Sequence, residues 1–568
     1  MISLDLEKLK ILTCKHLQCF VLETSSFTMH KSTDPYHIIK MKFYVPYCSS
    51  ILNPKETVIN LSKVRGLSLF DFRAIARFIR SNPINVKRIC FGLHCGLGPY
   101  LDDVLEALSE NTHITSLDLS KCELTLRNFD QIGRFLETNE TLECICLGSN
   151  LDCSQYMDQE RANETELLTD FFEGIKTNCT LKTLSMDHIK MDSWFPVDRL
   201  IKAIGKNEDL VTLNLHGTAF SENKLTDLFK AIDATTISKL NLSYNRFRSQ
   251  GIKLVTDWLG STARITSLNL SECDESVVED VGRNIAEALR TNTSLRKLWL
   301  VGNTIGDEGA IMIADALKHN PGLVKLFLGK NGIQTEGAAN LLQCSLEKID
   351  LGSNIITEIT WINPSVRKLT YKDWSLTKFV INPDSGLEDC SIAVTKIMEL
   401  VIPPDCPLVR LEASFTKIKA FVIPPRSKLQ HLGLLYCKLD TFECEEDCEL
   451  VSLEISGLMT RLPINHMPKL TKLKIRRMAN LDLKSLFHGL KHTQLSELEI
   501  SGLGPNDETA SYIAEYIMSP ACNLKSFEID WEGMTKAGAK IMRQALACSS
   551  LLHGSYTRND SDSDDDAY

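Results

Sequence analysis

No stretch of this sequence is long and apolar enough to cross a membrane. A membrane-spanning helix needs about 20 consecutive apolar residues, and no run in the chain approaches that length. The first residues, MISLDLEKLKILTCKHLQ, mix apolar side chains with charges of both signs, which does not predict a secretory signal. We therefore expect a cytoplasmic protein that has no membrane partner.

An excess of basic residues is also missing. The formal net charge is -10 at pH 7 and the pI is about 5.8, whereas a chain that binds nucleic acid usually has a basic balance. Hydrophobic residues make up 43% and charged residues 24% of the chain, which is typical of a folded protein. We accordingly do not expect a nucleic acid as the partner.

The sequence shows neither a metal-binding cluster nor a disulfide framework. Its 13 histidines do not cluster with cysteines at the spacing of a zinc site, and we interpret Cys14 and Cys19, on either side of His16, as core of a terminal segment. The 19 cysteines form no CxxC pair, which without a secretory signal predicts reduced thiols. We interpret Cys444 and Cys448 as partly buried filler and expect no metal site.

Signatures of enzymes are missing as well. The chain contains no GxxxxGK phosphate loop followed by Ser or Thr, no GxSxG turn and no HExxH helix. We therefore expect no catalytic residue, no cofactor, no enzymatic activity and no small-molecule ligand.

The sequence is instead rich in one repeated pattern, LxxLxLxxN with aliphatic substitutes. Neighbouring copies start 27–30 residues apart in the first half, apart from one interval of 39, which we interpret as a repeat with a polar loop inserted around Gln155–Glu164. In the second half the interval shortens to 20–23 residues, and the last two intervals are 25 and 29 residues. The copies start at Val86, Ile114, Leu142, Leu181, Leu210, Ile237, Ile265, Leu295, Leu323, Leu346, Val366, Leu387, Leu408, Leu429, Leu450, Leu470, Leu495 and Leu524.

The pattern predicts a short strand in every repeat. Alternation of apolar and polar residues within LxLxx buries one face of the strand. The ninth position favours Asn, whose side chain can satisfy backbone groups where the chain turns away from the strand. A single repeat cannot bury its apolar face alone, so stacking of neighbours is expected to stabilise the chain.

The longer repeats have room for a helix after each strand. Gly306–Asn320, GDEGAIMIADALKHN, has apolar residues at helical spacing. Together with its flanks, LRKLWLVGNTIGDEGAIMIADALKHNPGLVKLFLGKNGIQTEGAANLL, it resembles the ribonuclease-inhibitor-like class of leucine-rich repeats. That class also occurs in NLR immune receptors, Ran GTPase-activating proteins and tropomodulins. The resemblance covers Val86 to Leu342 and again the chain from Leu495.

The resemblance implies an α/β fold, a leucine-rich-repeat solenoid or horseshoe with a concave parallel sheet and helices on its outer face. The shorter repeats depart from this class, because 20–21 residues leave no space for a full helix. The tetrapeptide VIPP occurs at Val401–Pro404 and again at Val422–Pro425. Proline fixes φ and donates no hydrogen bond, which predicts an extended or turn-like return segment.

These patterns divide the chain into five parts. Residues 1–57 do not fit the repeat and are a capping segment or a small recruitment domain, and 558–568 form an acidic run that predicts disorder. Between them we expect ribonuclease-inhibitor-like repeats at 58–345, shorter repeats at 346–494, and long repeats with a cap at 495–557.

A candidate binding site follows from the two strand positions that point onto the concave face, the third and the fifth. Stacked strands place equal positions in columns. The fifth-position column has two large aromatic residues side by side, Trp299 and Phe327, and becomes acidic further on. The third-position column has four lysines in succession, namely Lys297, Lys325, Lys348 and Lys368. The alternative interpretation is that lysine is simply common at this solvated position.

Taken together, the sequence predicts a non-catalytic interaction scaffold or sensor that binds another protein with an acidic surface. Two alternatives remain at this point: a GTPase-activating protein of the Ran type, and the sensing subunit of an NLR-like assembly. The repeat class alone does not separate them, because a repeat motif identifies a fold and not an activity.

Overall fold

The computed structural model describes residues 57–93, 95–151, 168–191, 195–273, 280–361, 365–503, 506–530, 535–548 and 553–557. All of them belong to one unit, 47–568. The predicted N-terminal segment with Cys14, His16 and Cys19, the loop inserted around Gln155–Glu164, and the acidic tail lie outside the described residues. In the part of the chain that is described, no helix has the length and apolar character needed to span a membrane.

Within the described residues, twenty strands form one parallel sheet in which each strand pairs with that of the next repeat. Most strands have three residues, and the six from His431–Leu439 onwards have five to nine. The strands are Val58–Asn60, Arg88–Cys90, Ser116–Asp118, Cys144–Cys146, Thr183–Ser185, Thr212–Asn214, Lys239–Asn241, Ser267–Asn269, Lys297–Trp299, Lys325–Phe327, Lys348–Asp350, Lys368–Thr370, Asp389–Ser391, Arg410–Glu412, His431–Leu439, Ser452–Gly457, Lys472–Arg476, Glu497–Ser501, Ser526–Asp530 and His553–Thr557.

In the long repeats α-helices follow the strands, and the described residues between 342 and 482 form no α-helix. The α-helices of the first group are Leu69–Arg80, Leu101–Ser109, Leu126–Thr138, Thr169–Thr177, Val197–Ile204, Leu225–Asp233, Ser249–Ser261, Asp280–Thr291, Gly306–Leu317 and Thr335–Leu341. Those of the second group are Leu483–Leu490, Asp507–Ile517 and Lys536–Cys548. Short 3-10 turns lie at Gly98–Tyr100, Glu222–Lys224 and Ile464–His466.

The shorter repeats replace the helix with an extended return segment. Glu358–Trp361 pairs with Lys378–Ile381, and Ala420–Ile423 pairs with Thr441–Cys444, in two small parallel sheets. The second VIPP segment ends such a strand and enters a turn. The predicted α/β solenoid is therefore confirmed, with helical long repeats and helix-poor short repeats.

The core lies between the sheet and the outer segments, and the repeat pattern explains its composition. In the repeat that begins at Leu295, the side chains of Leu295, Leu298 and Leu300 are buried, whereas those of Lys297 and Trp299 reach the other face of the sheet. The same alternation recurs in the other repeats. A continuous apolar core results, because each repeat covers the exposed edge of its neighbour.

Asparagine at the ninth position forms the predicted ladder. The Asn331 amide donates to the carbonyl oxygens of Leu300 (2.8 Å) and Leu328 (2.9 Å), and its oxygen accepts from the backbone N–H of Asn303 at 2.9 Å. Asn150, Asn245 and Asn354 bond in the same way. These buried amides satisfy the backbone where each strand ends.

A second asparagine ladder, which the sequence interpretation did not include, lies three residues before the first repeat position. Asn178 donates to the carbonyl oxygens of Leu136 (2.7 Å) and Asn139 (3.0 Å), and accepts from the N–H of Leu181 at 2.7 Å. Each helix end is thereby tied to the helix of the preceding repeat. The other members are Asn111, Asn207, Asn292 and Asn320.

Candidate protein-binding surface

The two aromatic residues singled out in the sequence form a parallel stack on the face of the sheet. The strands Lys297–Trp299 and Lys325–Phe327 pair in register, with Phe327 opposite Trp299 and Lys325 opposite Lys297. The ring centroids are 4.8 Å apart and the planes differ by 4°. Both rings are half-buried, so the stack presents an apolar patch to solvent.

A lysine from the next repeat extends this patch. The Lys348 ammonium lies 4.8 Å from the centre of the Phe327 ring, which is a cation–π contact. Its strand places Lys348 beside Lys325 and Asp350 beside Phe327. The aromatic stack is therefore bordered by a cation and by a carboxylate.

The lysine column is continuous, but its members differ in how far they are neutralised. Lys297 is exposed. Lys325 lies 3.6 Å from a carboxylate oxygen of Glu347, and Lys368 forms an ion pair with Asp389. The column therefore provides less free positive charge than four unpaired lysines would.

The acidic end of the fifth-position column, at Glu412, Glu454, Glu499 and Glu528, is also partly neutralised. Glu499 accepts from Lys474 at 2.8 Å and from Arg476 at 2.6 Å. Burial acts to raise the pKa of Glu499, but these two hydrogen bonds outweigh it and the pKa lies below the usual value. Glu499 is therefore ionised and paired at neutral pH.

A third column, which was not among the predicted ones, lies at the eighth repeat position. Backbones there adopt positive φ, as at His188 (57°), Tyr244 (60°), Phe415 (60°) and Tyr436 (57°). His188 packs against His216 with 4.6 Å between ring centroids, and His216 against Tyr244 with 4.8 Å. An alignment of the eighth positions shows His188, Tyr244, Phe415 and Tyr436, whereas His216 lies at the seventh position, just before Gly217.

Thiols line the sheet near its N-terminal end. Cys144 and Cys146 alternate along one strand, and Cys146 and Cys90 flank Asp118 in the fifth-position column. The hydrogen bond from Cys146 lowers the pKa of Cys144 to about 6, although burial opposes this change. Among the described residues, no three His, Cys, Asp or Glu side chains are arranged to bind a metal ion.

A family model described as leucine-rich repeat matches residues 110–126 and 291–314 of the chain. The chain is also similar to the human NACHT, LRR and PYD domains-containing protein 13, with 25% identity over 238 residues. The matched region covers 38% of this chain and 22% of that protein.

Two solved structures share a general likeness with the chain. One is a complex of TLR13 with the single-stranded RNA ssRNA13, with a TM-score of 0.44 and 14% identity over 88% of this chain and 81% of that one. The other is the internalin InlF of Listeria monocytogenes, with a TM-score of 0.33 and 15% identity over 69% of this chain and 89% of that one.

Proposed function

We propose that this leucine-rich-repeat protein binds another protein through the face of its parallel sheet and catalyses no reaction. Its role would be that of a cytoplasmic scaffold or sensor. The observation that carries the proposal is the stack of Trp299 and Phe327, whose rings lie on the solvent side of the sheet. Large aromatic side chains at the centre of an interface commonly supply most of its binding energy.

The partner we propose has an acidic surface with one or two apolar side chains. The apolar side chains would cover the Trp299–Phe327 stack, and carboxylates would approach Lys297 and Lys348 at its border. Of the four column lysines, we expect Lys297 to contribute most to long-range attraction of the partner, because it is exposed and forms no ion pair among the described residues. By contrast, Glu347 neutralises Lys325 and Asp389 neutralises Lys368. Such charges mainly speed association.

The test compares what the intact chain and its variants capture from the native source by quantitative mass spectrometry. Trp299→Ala and Phe327→Ala should both lose the same protein, whereas the control Trp374→Ala should retain it. Trp374 is a suitable control because it is half exposed but lies outside the two concave columns. A capture profile that is identical for all variants would refute this surface.

A sensing role has specific support in the similarity to part of the NACHT, LRR and PYD domains-containing protein 13. The chain would then provide the recognition part of an assembly whose other activities belong to a partner. Ran-type GTPase activation is the competing role. An assay of GTP hydrolysis by small GTPases separates them, because acceleration by the chain would overturn the proposal of binding without catalysis.

A further inference from the structure

The short repeats contain a second aromatic cluster, remote in sequence from Trp299 and Phe327. Phe415 and Tyr436 occupy the eighth position of adjacent repeats and stack with their ring centroids 4.4 Å apart and their planes at 20°. Phe415 remains 44% exposed. Exposed aromatic side chains of this kind are often the residues that contribute most to binding a partner.

Two arginines reach this stack from two repeats away. The Arg477 guanidinium lies 5.4 Å from the centre of the Tyr436 ring, and Arg476 donates to the Tyr436 hydroxyl at 3.1 Å. The repeat between them has glycine at the eighth position, and a Cβ on Gly457 would lie 2.6 Å from the Leu439 carbonyl oxygen. A side chain is thus excluded at Gly457, which leaves room for the arginines beside Tyr436.

Backbone conformation at these positions bears on which substitutions they accept. Phe415, Tyr436 and Arg477 have φ of 60°, 57° and 53°, a region in which bulky side chains are disfavoured. Glycine occupies the equivalent turn at Gly217 and Gly302 with φ of 63° and 68°. The same conformation recurs at the eighth position of other repeats, as at Lys121, Ser149 and Lys330 with φ of 61°, 54° and 58°, so glycine is an acceptable replacement for Phe415.

A column of lysines runs beside the aromatic pair. Lys396, Lys417 and Lys438 occupy the tenth position of three successive repeats, and Lys417 and Lys438 lie two residues beyond Phe415 and Tyr436. All three lysines are exposed. Within the described part of the chain, none of the three belongs to an ion pair, unlike Lys368 and Lys378 in the preceding repeats.

We propose that Phe415, Tyr436, Arg477 and the lysine column form a second binding site, which takes an acidic peptide segment carrying an aromatic or large apolar side chain. The peptide side chain would pack on Phe415, and its carboxylates would face the lysines and Arg477. Three exposed lysines in a row are found within a chain of net charge -10, so this local positive charge is not a general property of the protein. Basic patches of this kind select acidic partners.

The surrounding carboxylates favour a peptide over a nucleic acid. Glu412 and Glu454 lie on the strands just before these turns and flank Gly433 in the fifth-position column. They would repel a continuous phosphate backbone, whereas a peptide can place its separated carboxylates over the lysines alone. Single-stranded nucleic acid also stacks on aromatic rings. Binding of nucleic acid is therefore the alternative that the experiment must exclude.

The experiment measures binding of a fluorescein-labelled Glu/Asp peptide containing one phenylalanine to the full chain by fluorescence anisotropy. Phe415→Gly should weaken binding about tenfold with only a small change in melting temperature, because the better fit of glycine to the positive φ offsets the loss of the stack with Tyr436. The triple variant Lys396→Ala, Lys417→Ala, Lys438→Ala should weaken binding and flatten its salt dependence. The matched control replaces three exposed lysines elsewhere and should bind normally: Lys87→Ala, Lys202→Ala, Lys525→Ala.

Four results would overturn this second site. They are no binding of the peptide, equal binding by the Phe415→Gly variant, a large loss of stability on Phe415→Gly, and tighter binding of a single-stranded RNA of equal charge with the same residue dependence. Trp299→Ala distinguishes the site from the first surface. It should leave peptide binding unchanged, and a loss equal to that of Phe415→Gly would assign the peptide to the first surface.

Discussion

At the scale of single residues, the Trp299–Phe327 stack makes the clearest prediction. Both rings project from strands and contact each other, so truncation of Trp299 to Ala removes one aromatic pair worth about 0.5–1.5 kcal/mol of folding stability. If the ring anchors a partner, its loss should cost about 2 kcal/mol or more of binding free energy. Melting temperature and affinity are measured on the same protein. An unchanged affinity would eliminate the anchor.

Asn331 should matter for stability and not for binding. Its side-chain amide forms hydrogen bonds with five backbone groups, and Asn331→Ala would leave several of them buried without a partner. We expect a loss of about 2–4 kcal/mol in unfolding free energy, measured by urea denaturation. The control Asn340→Ala removes one bond on an exposed helix face and should change stability by less than about 0.5 kcal/mol. Equal effects would contradict the ladder as a source of stability.

Cys144 should be the reactive thiol of its pair. Because the hydrogen bond from Cys146 lowers the pKa of Cys144, its thiolate forms at a lower pH than that of an ordinary thiol and is lost as the pH falls through the lowered pKa. Alkylation by iodoacetamide, followed by peptide mass spectrometry, should be fast at pH 7 and slow at pH 5. Cys146→Ala should slow it at pH 7 and leave exposed Cys179 unaffected. An unchanged rate at Cys144 would disprove the hydrogen-bond effect.

At the scale of secondary-structure elements, glycines set how closely neighbouring helices approach. A Cβ at Gly282 in Asp280–Thr291 would lie 2.4 Å from the Cα of Gly309 in the helix Gly306–Leu317. Gly282→Ala must therefore push the two helices apart. We expect a loss of about 1–3 kcal/mol, measured by thermal unfolding. Ala339→Ser, on an exposed helix face, is the control; equal melting temperatures would show that the helices can separate freely.

At the scale of the whole molecule, coupling between long and short repeats depends on the strand Lys348–Asp350. It pairs with Lys325–Phe327 on one side and Lys368–Thr370 on the other, and repeat arrays are stabilised only by such neighbours. Leu351→Ala removes a fully buried side chain there, at a cost of about 2–5 kcal/mol. We expect hydrogen exchange to show two separate unfolding transitions instead of one.

The control for this junction is Leu270→Ala, which removes an equally buried side chain within the long repeats. Leu270→Ala should lower the stability of the long repeats, but the long and short repeats should still unfold in one transition. A single transition in both variants would show that the coupling survives the substitution and that the junction is no weaker than any other interface.

Much of the fold could be predicted from the sequence, because each repeat fills its core with residues close to it along the chain. The apolar spacing around Leu295, Leu298 and Leu300 determines the strand, its buried face and its register with the next repeat. The register in turn brings Trp299 and Phe327 together, so this part of the candidate site was predictable. The ladder of asparagines at the ninth repeat position was predictable for the same reason.

The tertiary structure alone decided the contacts that depend on side-chain reach and not on register. The pairing of Lys368 with Asp389, the use of Asn178 to join two helix ends, and the approach of Arg477 to Tyr436 across Gly457 are examples. A repeat pattern determines which residues share a column, since strand spacing is constant. How far a long side chain extends past its neighbour depends on the volume of every residue between them, and only the folded chain brings those residues together.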